Sequence, residues 1–454
     1  MMSMRLRLVG LFGTLAIAAG CVANVTPPAA PARPNVVLIL SDDHAWTDHG
    51  FMGHPVVRTP SIDALAAAGL RFTRGYNVTS VCRPSLATYA TGLFPHQHGI
   101  TGNDPPGDRT AARDPAARAS MEAMFSRHPT VATLLARAGY RSLQTGKWWE
   151  GDPKTHGFTE AMTHGDVARG GRHGDEGLKI GREGMQPIEA FLDANRATGQ
   201  PFFLWYAPFM PHTPHTPPDR LLAKYRTDGR PEALARYYAM IEWFDETVGD
   251  LMASLDRRGL REHTLVLYIA DNGWLQAEAP GEQGRTPGKM SPYDAGLRTP
   301  IIVRWPDRVR PERDDRTLAS GIDIVPTILS AAGVAIPATL PGIPLTDRQA
   351  LAARDMVFGS LSAHTSVDLL QPVANLKYRM GVSQDGWKLI LPYTRNRDVV
   401  LTIDGVTGAW ASGTGPELYD LTNDPRETRN LAADHPDIVN RLRSRIDTWW
   451  AVPE

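Results

Sequence analysis

Two tandem pairs of oxygen-bearing side chains close long apolar runs in the sequence: "SDD", with Asp42 and Asp43, and "ADNG", with Asp271 and Asn272. Carboxylates and an amide, without histidine or thiolate among them, suit a hard divalent ion, Ca²⁺ or Mg²⁺, rather than zinc. "SDD" alone is more often a turn or a helix cap; its pairing with "ADNG" is what points to an ion site. Between them lies Cys82, in "TSVCRPSLATYATG". Pro84 suits a first helical turn and Gly92 a helix stop, which puts the thiol at a helix N-terminus, where unpaired N–H groups and the dipole favour an anion. A hard-ion site has little use for a thiolate, so an oxygen nucleophile at this position fits the chemistry better.

The elements that must position these residues follow from the apolar patterning. "NVVLIL" before Asp42 and "TLVLYIA" before Asn272 are continuous apolar runs of the kind buried in a parallel sheet. Between and around them, amphipathic stretches such as "SIDALAAAG", "PTVATLLARAG" and "YYAMIEWFDETVGDLMASLDRRG" predict helices, with Lys147 just past a strand and His212 in a Pro/His loop past another. Strands alternating with helices predict a doubly wound α/β fold with a mostly parallel sheet, and ligands in such sheets bind at the carboxyl edge. Asp42, Asp43, Lys147, His212, Asp271 and Asn272 all collect there. "NDPPGDRTAARDPAARAS" (103–120) and "GRHGDEGLKIGREG" (171–184) are expected to be long loops that shape access. From Met356 the pattern changes to short strands and turns closed by a final helix, a small antiparallel lobe. The expected division is a leader over 1–21, a tether over 22–34, an α/β domain over 35–355 and an α+β subdomain over 356–454.

Composition narrows the function classes. The 454 residues are 42% hydrophobic and 21% charged with a formal charge of −1, which gives no general pull toward nucleic acid. Arg5 and Arg7 precede an apolar run too short for a comfortable membrane span, an export signal. It ends "AIAAGC", similar to a bacterial lipobox in which Cys21 is lipidated, and a Pro/Ala stretch follows as an extended tether. The expectation is an exported protein, periplasmic or anchored to the outer membrane by lipid. With Cys21 in the leader, Cys82 is the mature chain's one thiol and has no internal disulfide partner.

These motifs resemble those of the type I sulfatases of the alkaline-phosphatase superfamily. The family's Cys-x-Pro falls on Cys82 and Pro84 and its trailing Thr-Gly on Thr91 and Gly92; its tandem acids match Asp42 and Asp43, and its Asp-Asn-Gly matches Asp271, Asn272 and Gly273. Its Gly-Lys-Trp matches Gly146, Lys147 and Trp148, its Pro-His-x-Pro matches Pro211, His212 and Pro214, and its late lysine falls on Lys289 in "KMSPYDAGLRTP". The resemblance implies a formylglycine made from Cys82 by a maturing enzyme, and Ca²⁺ rather than Mg²⁺ held by Asp42, Asp43, Asp271, Asn272 and the modified Cys82. It implies Lys147, His212 and Lys289 around the sulfuryl group, where fixed cations lower the barrier to transfer. The implied substrate is a sulfated small molecule or glycan.

Two positions depart from the family. Leu86 replaces the motif arginine, and Trp149 replaces a histidine that assists turnover of the formylglycine hydrate; a tryptophan does no acid–base work. Arg83 is near in sequence but lies on a different flank of the helix. His215, His96 or His98 is expected to take over the proton transfer. Two other functions stay open at this point: phosphodiester or phosphonate-ester hydrolysis, which wants more positive charge than this site keeps, and non-catalytic binding of sulfated glycans with Cys82 unmodified.

Overall fold

The computed structural model describes residues 33–107, 110–276, 288–306, 308–396, 402–403, 406–407 and 414–453. The export leader, Cys21 and the tether as far as residue 32 lie outside the described residues. Among the described residues no helix is long and apolar enough to cross a membrane.

The apolar run Asn35–Ser41 forms strand β1, buried at every position. Val36, Leu38 and Leu40 point into one core while Val37 and Ile39 point into another, the period-two alternation of a strand covered on both faces. The other strands of its sheet are β2 (Leu70–Phe72), β3 (Arg141–Gly146), β4 (Glu160–Ala161) and β5 (Phe202–Ala207). They are joined by β6 (Thr264–Ala270), β7 (Ile301–Arg304) and β8 (Glu312–Asp314). The spatial order is β4-β3-β5-β1-β6-β7-β2-β8. β1 runs parallel to β5 and β6, and β3 parallel to β5 and β4. β7 alone is reversed, antiparallel to both β6 and β2, while β8 runs parallel to β2. Seven carboxyl ends therefore share one edge of the sheet.

Helices cover both faces. Helices α1 (Pro60–Ala67), α2 (Cys82–Thr91), α3 (Pro115–Phe125) and α4 (Val131–Arg137) occupy the first part of the chain. Helices α5 (Gln186–Thr198), α6 (Glu232–Arg257), α7 (Ile324–Ala331) and α8 (Pro436–Trp449) follow. Leu86 of α2, Leu135 of α4 and Ile328 of α7 enter one core; Leu65 of α1, Phe191 of α5 and Phe244 of α6 enter the other. The doubly wound expectation holds.

One expected loop is partly helical. Within 103–120 the chain enters α3, because Pro115 presets the first helical turn and the Asp114 side chain accepts the Ala116 N–H as a cap. Met121, Met124 and Phe125 then bury one face, which stabilises the helix more than local propensity would. The segment 171–184 holds only a short 3₁₀ turn at Asp175–Lys179.

Strands β9 (Met356–Ser362), β10 (Leu376–Ser383), β11 (Trp387–Pro392) and β12 (Glu417–Asp420) form an antiparallel sheet in that order. Val439, Leu442 and Ile446 of α8 seal it against Leu389, Leu391 and Leu418. By their contacts both sheets fall in one unit that starts at Arg33.

Candidate active site

The ends of β1 and β6 are laced together. The Asp43 N–H donates to Asp271 Oδ1 at 3.0 Å, Asn272 Nδ2 donates to Asp43 Oδ1 at 2.7 Å, and the Asp271 N–H donates to the Ser41 carbonyl at 2.8 Å. Asp43 adopts φ +58°, a left-handed backbone that aspartate tolerates better than most residues. All four side chains, Asp42, Asp43, Asp271 and Asn272, are buried.

Two lysines face these acids. Lys147 follows β3 through Gly146, at φ +79°, where an added Cβ would lie 1.9 Å from the Ala207 carbonyl oxygen. Only glycine makes that turn, which delivers Lys147 Nζ to within 2.7 and 2.8 Å of the two Asp42 oxygens and 3.7 Å of Asp271 Oδ2. Lys289 Nζ lies 2.7 Å from Asp43 Oδ1 and 2.9 Å from Oδ2. His212, beyond β5, brings Nε2 to 3.4 Å from Asp43 Oδ2. Burial alone would raise Asp43, but Lys289, His212 and Lys147 hold it far below the carboxylate range. Burial would lower Lys147 and Lys289; their carboxylate neighbours outweigh it and keep both charged. Burial lowers His212 against the pull of Asp43.

Cys82 opens α2, and its Sγ lies 4.0 Å from Asp42 Oδ1 and 3.9 Å from Asp43 Oδ1. Burial pushes its thiol up to about 12 in spite of Lys147 and Lys289. A thiolate nucleophile is therefore disfavoured here, as the sequence suggested.

The oxygen donors Asp42, Asp43, Asp271 and Asn272 fit a hard cation, with the Cys82 sulfur standing where a formylglycine oxygen would be. Asp42, Asp43, Cys82 and His212 each offer a ligand atom, all within 4.8 Å of one another. Asp271 Oδ2 and Asn272 Oδ1 are buried oxygens without a hydrogen-bond partner among the described residues. Burial and the charges of Asp42 and Asp43 push Asp271 well above the usual carboxylate range, a repulsion that a divalent ion among the three acids relieves.

The two departures lie together. Leu86 and Trp149, with Ala87, Ala90, Phe125, Trp148 and Glu150, line one small cavity behind the site. Arg83 turns away from Cys82, and its Nε and Nη2 donate to the two Glu150 oxygens at 2.7 and 2.6 Å. Trp149 packs 5.8 Å from Lys147 Nζ, with the Arg172 guanidinium 4.9 Å from its ring centre.

Of the expected substitute histidines, two are elsewhere. His96 stacks on Trp450 at 4.3 Å, and His98 is bonded to Thr88 at 3.3 Å and to the Ile100 N–H at 3.1 Å, both stabilising the turn after α2. His215 sits beside Tyr237 at 5.4 Å, close enough to feel the charges of His212 and Asp43. His173 is a histidine that sequence reasoning passed over. It packs against Trp149 at 5.2 Å and Phe209 at 5.3 Å, and Phe209 in turn stacks on His212 at 4.3 Å. Its Nδ1 is buried and has no hydrogen-bond partner among the described residues. Burial, Lys147 and Arg172 hold its imidazole well below 6.5, in the neutral form. A lone histidine in the glycine-rich run 171–184 gave no periodic signal; its only cue was its type.

The sulfatase family model matches residues 34–334, about two thirds of the chain. The chain belongs to the sulfatase family. A second family model, described as N-sulphoglucosamine sulphohydrolase, C-terminal, matches residues 281–404. Human arylsulfatase A is 30% identical, over 94% of this chain and 89% of the relative. The dog N-acetylgalactosamine-6-sulfatase is 29% identical, over 69% of this chain, and the match spans only 65% of that protein. Among solved structures, one from a study of glycosaminoglycan metabolism by Bacteroides thetaiotaomicron has a TM-score of 0.70 at 22% identity, covering 92% of this chain and 99% of that one. Another, solved with D-glucosamine-2-N,6-O-disulfate as its substrate, has a TM-score of 0.67 at 20% identity, covering 92% and 97%. At these identities the structures establish the sulfatase fold.

Proposed function

We propose that this protein hydrolyses a sulfate ester on a sulfated carbohydrate, using a formylglycine made from Cys82 and a divalent cation, Ca²⁺ in preference to Mg²⁺. The observation that carries the reading is the placement of Cys82 Sγ within 4.0 Å of both tandem acids, which Lys147, Lys289 and His212 also approach. Asp42, Asp43, Asp271, Asn272 and the modified Cys82 would hold the ion. A formylglycine at position 82 would supply an oxygen nucleophile, and a divalent cation held by these residues would supply Lewis acidity and positive charge beside the sulfate. Lys147 and Lys289 hold two ammonium groups where negative charge builds on the non-bridging sulfate oxygens, fixed in a dry site before the reaction begins. His212 offers Nε2 as a further donor to the same group. Trp149 and Phe209, with the Lys147 ammonium 5.8 and 5.5 Å from their ring centres, wall off water from this charge. The relatives named as carbohydrate sulfatases support a sugar substrate. In this reading the protein is exported, in the periplasm or lipid-anchored to the outer membrane through Cys21.

Mass spectrometry of the peptide spanning Cys82, on protein from its native host, together with sulfate release from sulfated saccharides, tests this. An aldehyde at position 82 and released sulfate are expected. An intact thiol without turnover would instead favour a protein that only binds sulfated glycans.

A further inference from the structure

A second concavity is lined by none of the acids, lysines or histidines gathered around Cys82. A cavity of about 340 Å³, within the range of small-ligand sites, is lined by Trp46, Arg74, Tyr76, Arg298, Arg313 and Asp315. Trp46 follows β1, Arg74 follows β2, and Arg313 and Asp315 lie at the end of β8, so the cavity belongs to the same carboxyl edge as the acids. β1 and β2 are three strand spacings apart in the sheet, about 14 Å at ~4.8 Å each. The turn at Gly386 and the residue Thr422 bring the antiparallel sheet to its rim.

Its charge is unbalanced. Arg74 donates only to backbone carbonyls, those of Arg316, Ser383 and Gln384, at 2.8 to 3.1 Å; among the described residues it has no carboxylate partner. Arg298 donates to the Thr73 carbonyl at 3.0 and 3.1 Å, and its nearest carboxylate, Asp294 at 3.8 Å, already accepts from Lys388 at 2.9 Å. Arg313 pairs with Asp315 at 2.9 Å. Three guanidinium groups thus meet one lining carboxylate in a chain whose formal charge is −1. Carbonyl bonds hold the Arg74 and Arg298 forks in place without neutralising them, the preparation that bidentate recognition of an anionic oxygen pair needs, and Asp315 offsets only one of the three charges. Arg298 also stacks 4.0 Å from the centre of the half-buried Trp46 ring, which stiffens one wall.

We propose that this cavity binds an anionic saccharide unit of the glycan under attack, some units away from the scissile ester, with a sulfate or carboxylate on Arg74 and Arg313. This rests on the carbohydrate-sulfatase reading above. The full-length Cys82→Ser protein, titrated calorimetrically with a sulfated oligosaccharide and with an unsulfated uronate oligosaccharide, separates the two anion sources. Arg313→Glu, at an exposed position, is expected to weaken binding of at least one of them by about tenfold, the size of one charge-assisted hydrogen bond. Thr422→Glu, which adds a negative charge at the exposed rim, is expected to do the same if Arg313→Glu misfolds. In the Cys82-bearing enzyme both changes should raise KM for that oligosaccharide and leave turnover of a small aryl sulfate unchanged. Wild-type affinity for both oligosaccharides in both variants, or equal losses on the aryl sulfate, would overturn the proposal. Should the wild-type enzyme cleave no sulfate ester, the sulfatase reading falls, and the calorimetry still decides the cavity.

Discussion

Arg83 and Glu150 form a buried, two-pronged ion pair, Nε to Oε1 at 2.7 Å and Nη2 to Oε2 at 2.6 Å. One partner follows Cys82 directly; the other sits three residues beyond Lys147. The pair therefore fixes the helix that carries Cys82 against the turn that carries one of the site's cations. Asn103 completes the arrangement by accepting the Arg83 N–H at 2.9 Å.

Glu150→Ala leaves the Arg83 charge buried and unpaired, and is expected to destabilise the fold by about 3–5 kcal/mol in chemical denaturation. The double change Arg83→Met with Glu150→Leu should recover most of that loss, since it removes both charges and keeps the volume. A double variant as unstable as the single one would show that packing around Trp149, not charge, holds the two segments together.

We infer that His173, packed on Trp149 and reaching His212 through Phe209, takes up the proton transfer that the position of Trp149 lost; His173→Ala is then expected to lower kcat by about a hundredfold, with KM little changed. His96→Phe, which keeps the stack on Trp450, should leave kcat as it was. If His215→Ala instead carries the loss and His173→Ala does not, the proton is handled on the Tyr237 side of the site.

Asp271→Asn removes one of three mutually repelling buried carboxylates. In chelator-treated protein it should raise the melting temperature, because the remaining acids face less like charge. Added Ca²⁺ should stabilise the wild type by mass action and stabilise this variant far less. Equal Ca²⁺ shifts in both proteins would remove Asp271 from the ligand set.

Acid should weaken the fold through histidines that stabilise the turn after α2. Burial lowers His98 to about 3 and His96 to about 4, against 6.5 for an unperturbed histidine. In the window between those values and 6.5 the unfolded chain binds protons that the folded chain does not, so stability is full above 6.5 and is lost as pH falls. Each group contributes a slope of about 1.4 kcal/mol per pH unit there. Urea unfolding at a series of pH values from neutral to mildly acidic checks this, and His96→Phe should flatten the slope by one proton.

The strands that bear Asp42, Asp43, Asp271 and Asn272 were legible because a buried strand of a parallel sheet writes itself as an unbroken apolar run. The reversed direction of β7 was not, since "PIIVRW" has the same composition whichever way it runs. Helix α3 hid behind a stretch dense in Pro, Asp and Arg, whose one buried face shows only once Met121 and Phe125 have a core to enter. In the site, the acids and lysines were readable from motif spacing. The Arg83–Glu150 pair was not, because partners 67 positions apart leave no local pattern. His173 was hidden for the same reason: its neighbours Trp149 and Phe209 come from other strands' ends.

Every residue of the helix Cys82–Thr91 is buried. A modifying enzyme that must grip the sequence around Cys82 can meet it only before the chain has folded. On the proposed formylglycine reading, the yield of active protein then becomes a race between two rates, folding and oxidation, decided once per molecule and not revisited. Fast folding is a handicap in that race, and expression at a temperature that slows collapse should raise the active fraction without changing the activity of any single molecule.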